Sequence, residues 1–250
     1  MTTNGDDRFA IIMAGGDGTR LRPFVRSLRQ KSLPKQYVNF IGRRSMLEHT
    51  IDRARKIIPL ERIFAVVSRD HLDIPEAREQ LAKLPGENIV VQPLNRGTWP
   101  GILLPLARIY ADCDDPKIVT FPADHFIEDE EVFLAHVAFA LLKVEEPPAR
   151  MVLLGVTPDG PDPELGYIIP RKPGAAATSG FLPVKEFIEK PSPQAAKELL
   201  NQGALWNTLV LIEERPSAMI PEKRIQPKMV FIRSFMRRSF SARSGGNPRW

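Results

Sequence analysis

With 250 residues, 43% of them hydrophobic, the chain can bury one substantial core or one core with a small appendage. No apolar run reaches the roughly 18 residues of a membrane-spanning helix, and the polar start lacks the features of a secretory signal. The single cysteine, Cys113, cannot form an internal disulfide, so we expect a reducing compartment, by default the cytoplasm.

Basic residues are concentrated near the C-terminal end. The formal charge is +5, but residues 215–250 hold nine Lys or Arg and one acid, Glu222, which leaves 26 basic and 29 acidic residues in positions 1–214. A basic segment can bind polyanions, yet this one contains no recognisable nucleic-acid-binding module. The body of the chain is mildly acidic, and nucleic acid is not a favoured partner.

Apolar runs of strand length alternate with helical periodicity over the first 156 residues. We predict strands at 9–13, 63–67, 89–91, 117–121 and 151–156, a helix opened by the capping box Ser45–Glu48, and helices at 75–84, 101–111 and 130–144. This order predicts an α/β fold with a Rossmann-like mixed, mostly parallel sheet flanked by helices. Ligands bind such sheets at the carboxyl ends of the strands, so functional residues should directly follow strands.

The pattern loosens beyond residue 156. Proline and glycine crowd positions 158–174, and we predict strands at 184–188 and 205–212, with a helix beginning at Ser192 and Pro193. No strand is predicted after residue 212. We therefore expect one α/β domain over 1–212, incomplete at its C-terminal end, and a basic, irregular tail over 213–250.

A glycine-rich segment follows the first predicted strand. Gly15, Gly16 and Gly18 let the backbone approach a ligand closely, and Arg20 and Lys35 can add positive charge against a triphosphate. The alternative is a flexible strand-to-helix turn. The spacing matches neither the dinucleotide-binding fingerprint nor the P-loop.

The run Ala14–Leu21, followed by Pro34 and Lys35, resembles the signature of sugar-1-phosphate nucleotidyltransferases, also called sugar-nucleotide pyrophosphorylases. The segments Pro34–Gln36 and Gln92–Thr98 are most similar to the mannose-1-phosphate guanylyltransferase branch. The resemblance implies that a nucleoside triphosphate and a sugar-1-phosphate, GTP and mannose-1-phosphate first, form a nucleotide-sugar and pyrophosphate. Uridylyl or thymidylyl transfer to glucose-1-phosphate is the alternative within the class.

Asp124 follows the predicted strand 117–121, where a functional acid is expected. A carboxylate there can bind Mg²⁺, which offsets phosphate charge, although an ordinary helix-capping Asp is the alternative. By the resemblance, Asp124 is the metal ligand and Mg²⁺ the cofactor. We expect His125 to pack or hydrogen-bond rather than act as a base, because the attacking phosphate oxygen is already anionic.

The resemblance also assigns nucleotide and sugar contacts. Replacing the carboxylate that many guanylyltransferases carry at the Gln92 position by an amide changes the hydrogen bonds offered to the base. Glu189 and Lys190 could instead be a solvated strand end, and Trp206 could be core. The resemblance assigns the nucleotide to Gly15, Gly16, Gly18, Thr19, Gln92, Gly97 and Thr98, and the sugar phosphate to Gly166, Glu189, Lys190 and Asn207.

A second metal-binding Asp, which the family usually supplies downstream of Asn207, is missing. No Asp occurs after Asp162. Our hypothesis is a truncation or reading-frame shift near Glu213, with a genuine basic, disordered arm as the alternative. We therefore expect low activity, and we keep open a degenerate, non-catalytic nucleotide-binding protein or a polyanion-binding module built on the tail.

Overall fold

The computed structural model describes residues 7–18, 21–30, 32–94, 97–145, 151–171, 181–214 and 228–232. Two compact units divide them. The N-terminal unit comprises the described residues within Arg8–Asp114 and Thr120–Glu128, and the C-terminal unit those within Asp115–Val119 and Asp129–Phe235. None of the described helices is both long enough and apolar enough to cross a membrane.

The N-terminal unit is built on parallel strands. β1 pairs with β2 in the register Ala10↔Ile63, and β2 pairs with β3 in the register Val66↔Val90. Ala10–Ile12 of β1 and Ile63–Val67 of β2 are buried, as expected for parallel strands covered on both faces. The unit contains β1 (Arg8–Met13), α1 (Arg22–Arg29), α2 (Met46–Ala54), β2 (Ile63–Ser68), α3 (Pro75–Leu81), β3 (Ile89–Gln92) and α4 (Thr98–Asp112), with four short 3-10 helices at Lys35–Tyr37, Leu60–Arg62, Arg69–Asp73 and Gly86–Asn88.

The capping box forms as its sequence predicts. The Ser45 hydroxyl accepts from the Glu48 amide at 3.1 Å, and the Glu48 carboxylate accepts from the Ser45 amide at 2.7 Å. Leu47, Ile51 and Ala54 are fully buried along one face of α2. The cap and the apolar face together explain why a helix forms here.

The C-terminal unit is mostly antiparallel. β5 (Met151–Val156) pairs parallel with β9 (Lys228–Ile232) but antiparallel with β8 (Leu205–Glu213). β6 (Tyr167–Pro170) and β7 (Phe181–Ile188) form the antiparallel pairs β6–β7, β6–β8 and β7–β9. β4 (Lys117–Pro122) belongs to this unit through Val119 and to the N-terminal unit from Thr120 onward. The remaining elements are α5 (Glu130–Val144) and α6 (Pro193–Asn201).

The predicted α/β class, a mixed sheet with parallel strands flanked by helices, is confirmed. Its antiparallel pairings lie in the C-terminal unit, where the alternation of the sequence loosens. Trp206 is 6% exposed and packs in a core cluster with Tyr167 and Leu199, so the alternative interpretation of this residue as core holds.

The structure differs from prediction in the tail. β9 lies within the stretch predicted to be irregular, because Met229–Ile232 is an apolar run of good strand formers. β6 lies inside the proline- and glycine-rich section 158–174 and is not among the predicted strands. Residues 215–227 and 233–250 of the predicted tail lie outside the described part of the chain.

Candidate functional site

The glycine-rich loop leaves the carboxyl end of β1, as expected for a ligand-binding loop. Its first amide, on Ala14, donates to the Val66 carbonyl at 2.9 Å, which holds the start of the loop to β2. Gly18 has φ +58°, and a Cβ there would come within 3.2 Å of Lys35. A Cβ on Gly15 would collide with the amide nitrogen of Gln92, whereas one on Gly16 would meet nothing within 4 Å. Gly18 therefore suits its left-handed conformation, and Gly15 leaves room for the Gln92 side chain.

Lys35 and Asp124 form an ion pair through Nζ and Oδ2. Lys35 begins the 3-10 helix Lys35–Tyr37, and Asp124 lies in the turn that follows β4. The two side chains are 34% and 19% exposed, so both are partly shielded but reachable by a ligand. Burial alone would raise the pKa of Asp124, but the positive charge of Lys35 and the hydrogen bond that it donates outweigh burial and hold that pKa below its usual value.

His125 is neutral at physiological pH. Burial lowers the pKa of its imidazole to about 4, although the adjacent Asp124 carboxylate acts in the opposite direction. Its Nδ1 is buried and has no hydrogen-bond partner among the described residues. A neutral, enclosed ring fits the packing role predicted for this residue.

The fit of Mg²⁺ at Asp124 depends on the donors around it. Mg²⁺ usually takes one or two carboxylates, while waters and substrate phosphates complete its octahedral shell. Asp124 supplies one ionised carboxylate, and no group of three or more His, Cys, Asp or Glu in the described part of the chain could hold a metal ion. The residues therefore fit a magnesium ion that arrives with a triphosphate, rather than an all-protein metal cage.

Gln92 ends β3 beside the glycine-rich loop. Its side chain is buried. A Cβ added to Gly101 of α4 would lie 3.3 Å from the Gln92 amide nitrogen. Gln92 Oε1 has no hydrogen-bond partner within the described residues. The amide therefore lies between two glycines with an acceptor that a ligand donor could satisfy.

The other predicted nucleotide-binding residues have fewer described contacts. Gly97, at φ +94°, and Thr98, the first residue of α4, are both exposed. Trp99 is 54% exposed on the same helical turn. Thr19 and Arg20 lie outside the described residues, so the expectation that Arg20 adds positive charge against a triphosphate stays a prediction.

Three of the predicted sugar residues come together in the C-terminal unit. The Asn207 amide donates to the Gly166 carbonyl at 2.8 Å, and a Cβ on Gly166 would stand 2.6 Å from a Glu189 carboxylate oxygen. Lys190, next in the chain, is exposed and has φ +46°. Leu209, at φ +56°, donates its amide to Asn207 Oδ1 at 3.1 Å. Two of these side chains thus stand on left-handed backbone, which non-glycine residues rarely adopt.

Residues to which the sequence assigned no role support the loop from behind. Gln36 and Ser68 donate to its carbonyl groups, and the Tyr37 hydroxyl hydrogen-bonds His71 Nδ1 at 3.1 Å. Burial lowers the pKa of His71 and raises that of Tyr37. The only sequence signal for this group is the adjacency of Gln36 to Lys35, because Ser68 and His71 are distant in the chain.

Comparison with known proteins identifies the family. The model of the nucleotidyl transferase family matches residues 9–232. The chain belongs to this family. The match ends with β9, past the boundary that the sequence suggested at residue 212.

Two curated bacterial proteins are similar in sequence to most of this chain. Mannose-1-phosphate guanylyltransferase of Klebsiella pneumoniae is 34% identical over 201 residues, which are 79% of this chain and 41% of that protein. The xanthan biosynthesis protein XanB of Xanthomonas campestris is 30% identical over 222 residues, 88% of this chain and 45% of that protein. The chain therefore spans less than half the length of these relatives.

Solved structures of nucleotidyl transferases share the fold. A Thermus thermophilus protein described as a mannose-1-phosphate geranyltransferase aligns with TM-score 0.69 and 31% identity, over 82% of this chain and 57% of its own. The inositol-1-phosphate CTP transferase of T. maritima aligns with TM-score 0.58 at 16% identity, over 92% of this chain and 87% of its own. The second likeness supports the fold alone.

Proposed function

We propose that this chain binds a nucleoside triphosphate at the glycine-rich loop and transfers its nucleotidyl group to a sugar-1-phosphate. An oxygen of the sugar phosphate attacks the α-phosphorus, the bond to the β-phosphate oxygen breaks, and pyrophosphate leaves with that electron pair. The observation that carries the proposal is the ion pair of Lys35 and Asp124 beside Gly18, within the unit that holds the loop.

The residues act by positioning and by charge. The loop around Gly15, Gly16 and Gly18 receives the triphosphate, Lys35 (with Arg20) neutralises its negative charge, and the α-phosphorus is held in line for attack. Bound with the triphosphate and held by Asp124, Mg²⁺ would offset charge that develops on the phosphate oxygens. No general base is needed, which agrees with the neutral His125.

In the C-terminal unit, the sugar phosphate is proposed to bind at Gly166, Glu189, Lys190 and Asn207. The Glu189 carboxylate and the Asn207 side chain are suited to sugar hydroxyls, and Lys190 to the phosphate. The contact of Gly166 with Glu189 and its hydrogen bond with Asn207 support a common site.

GTP and mannose-1-phosphate are the first proposed substrate pair. They are supported by the named activity of the Klebsiella pneumoniae relative and by its 34% identity. Gln92 Oε1, which has no partner among the described residues, suits a base that donates a hydrogen bond, but every nucleobase does so, and this acceptor does not select among the bases. Uridylyl or thymidylyl transfer to glucose-1-phosphate is therefore the alternative within the class.

A pyrophosphate-release assay tests the proposal. Four nucleoside triphosphates are each combined with mannose-1-phosphate or glucose-1-phosphate and Mg²⁺. We expect release to require both substrates and to be highest with GTP and mannose-1-phosphate. If the folded protein binds nucleotide but releases pyrophosphate with none of the substrate pairs, the proposed transfer is contradicted.

A nucleotide-binding protein that has lost the transfer step is the second candidate. It is favoured by the absence of any Asp after Asp162, because the family resemblance implies a second metal-binding acid downstream of Asn207. With one metal-binding carboxylate, we expect turnover below the ordinary range of about 1–10³ per second. A rate inside that range would remove this candidate and the expectation of low activity together.

A further inference from the structure

Three consecutive carbonyl groups of the glycine-rich loop each accept a side-chain hydrogen bond. Gln36 Nε2 donates to the Ala14 carbonyl at 2.7 Å and to the Gly16 carbonyl at 2.9 Å. Ser68 Oγ donates to the Gly15 carbonyl between them at 2.7 Å. These lengths are those of well-formed hydrogen bonds. The side of each peptide group that carries its oxygen is therefore engaged by the protein.

The direction of a peptide carbonyl determines that of the next amide. In a planar trans peptide, the N–H of the following residue points opposite to the C=O. Capture of the oxygens of Ala14, Gly15 and Gly16 therefore turns the N–H groups of Gly15, Gly16 and Asp17 away from the residues that bind those oxygens. Loops whose successive backbone amides face a ligand are typical anion-binding sites.

The donors are held firmly in place. Gln36 is 2% exposed and lies inside the 3-10 helix Lys35–Tyr37. The carbonyl of Tyr37, at the end of the same helix, accepts from Gln80 Nε2 at 3.1 Å, a contact that does not involve the loop. Gln36 uses both amide hydrogens on the loop, which leaves its carboxamide one favourable orientation.

We propose that Gln36 and Ser68 are positioning residues that orient the loop amides toward the triphosphate. Glycine peptides can rotate with little steric cost, and a rotated peptide would present a carbonyl oxygen to a phosphate. Gln36 and Ser68 oppose that rotation by holding the oxygens. This inference rests on the proposed function only for the identity of the anion.

Binding of inorganic tripolyphosphate to the full chain tests the inference. Gln36→Met keeps the side-chain length but removes both donors, and Ser68→Ala removes the hydroxyl. We expect each to raise the Kd for tripolyphosphate about tenfold, as loss of a buried hydrogen bond would. Calorimetry gives the Kd, and amide chemical shifts of residues 15–17 report whether the anion still contacts the loop.

Matched controls separate positioning from general damage. Gln80→Met removes a side-chain amide that bonds the same 3-10 helix but no loop carbonyl, and Ser68→Thr keeps a hydroxyl. We expect Gln80→Met to bind within about twofold of the parent protein and Ser68→Thr to restore most of the affinity. If Gln36→Met fails to fold, Ser68→Ala and its Thr rescue still decide the result.

The outcomes distinguish this inference from the proposed function. Tight tripolyphosphate binding by folded Gln36→Met and Ser68→Ala would overturn the positioning role, as would an equal loss in Gln80→Met. If the parent protein binds tripolyphosphate but releases no pyrophosphate with any substrate pair, transfer fails and the positioning role is still judged on binding. A parent protein that binds no phosphate compound overturns both.

Discussion

At the residue scale, the partly buried carboxylate of Asp124 needs a cation beside it. Taking a carboxylate out of water favours its neutral form, and the positive charge of Lys35 reverses that preference. Lys35 therefore has two effects, since it keeps Asp124 ionised and places positive charge next to Gly18. Removing Lys35 should therefore both favour the neutral form of Asp124 and take positive charge away from the loop at Gly18.

Lys35→Met is expected to lower kcat/KM for nucleotidyl transfer about a hundredfold, the usual effect of losing one group that stabilises transition-state charge. The measurement is pyrophosphate release under saturating sugar phosphate. Lys83→Met is the control, because Lys83 also forms an ion pair in the N-terminal unit, with Glu48. Equal losses in the two variants would argue against a specific role for Lys35.

Two glycines of the loop make a matched pair. A methyl group at Gly15 collides with the buried amide of Gln92, while Gly16 has open space around its Cα. We expect Gly15→Ala to lower the free energy of unfolding by about 1–3 kcal/mol, the range for overpacking, and Gly16→Ala to leave it nearly unchanged. Urea unfolding of both variants measures the difference, and equal stabilities would contradict the crowding around Gly15.

At the scale of elements, β8 carries an irregularity beside the predicted sugar residue Asn207. The pairing of β5 with β8 shifts register between Leu153 and Gly155. Thr208 Oγ1 donates to the Leu154 carbonyl at 2.6 Å and accepts from the Val210 amide at 3.2 Å. These side-chain bonds lie beside the register shift, and Leu209, next in the strand, has a left-handed φ of +56°.

Leu209→Gly should therefore be tolerated in an otherwise regular strand. A left-handed conformation costs a non-glycine residue roughly 1–2 kcal/mol, which offsets the extra chain entropy that glycine loses on folding. Leu209 is also 45% exposed, so little apolar contact is lost. We expect the glycine variant to match the parent in thermal stability and Leu209→Val, which keeps the strain, to be less stable. The reverse order would contradict the strained backbone.

The sequence predicted the helices and strands better than the side-chain contacts that hold the glycine-rich loop. Local signals are strong where periodicity and capping agree, as in α2, or where an apolar run is buried on both faces, as in β1. The loop glycines, Lys35 and Asp124 also followed from motif and strand position. Ser68 and His71 could not be predicted, because their contacts with the loop arise from pairing of β1 with β2 and carry no local pattern.

At the scale of the whole molecule, one buried acid should govern how stability changes with pH. Glu213, the last residue of β8, is 1% exposed, and neither carboxylate oxygen has a hydrogen-bond partner within the described part of the chain. Burial raises its pKa to about 7. The folded protein therefore holds a proton on Glu213 at pH values where the unfolded chain has lost it.

Stability should then fall as pH rises from about 4.5, the ordinary value for a glutamate, to about 7. Over that window the unfolded chain binds fewer protons than the fold, so the free energy of unfolding decreases, by on the order of 3 kcal/mol in total. Glutamine at position 213 stays neutral at every pH, so Glu213→Gln should abolish this decrease. The free energy of unfolding of the variant should therefore rise relative to that of the parent protein as pH increases. Urea unfolding at pH 5 and pH 8 measures it, with Glu61→Gln as the exposed control. A parent and a Glu213→Gln variant with parallel pH profiles would show that Glu213 ionises freely in the fold.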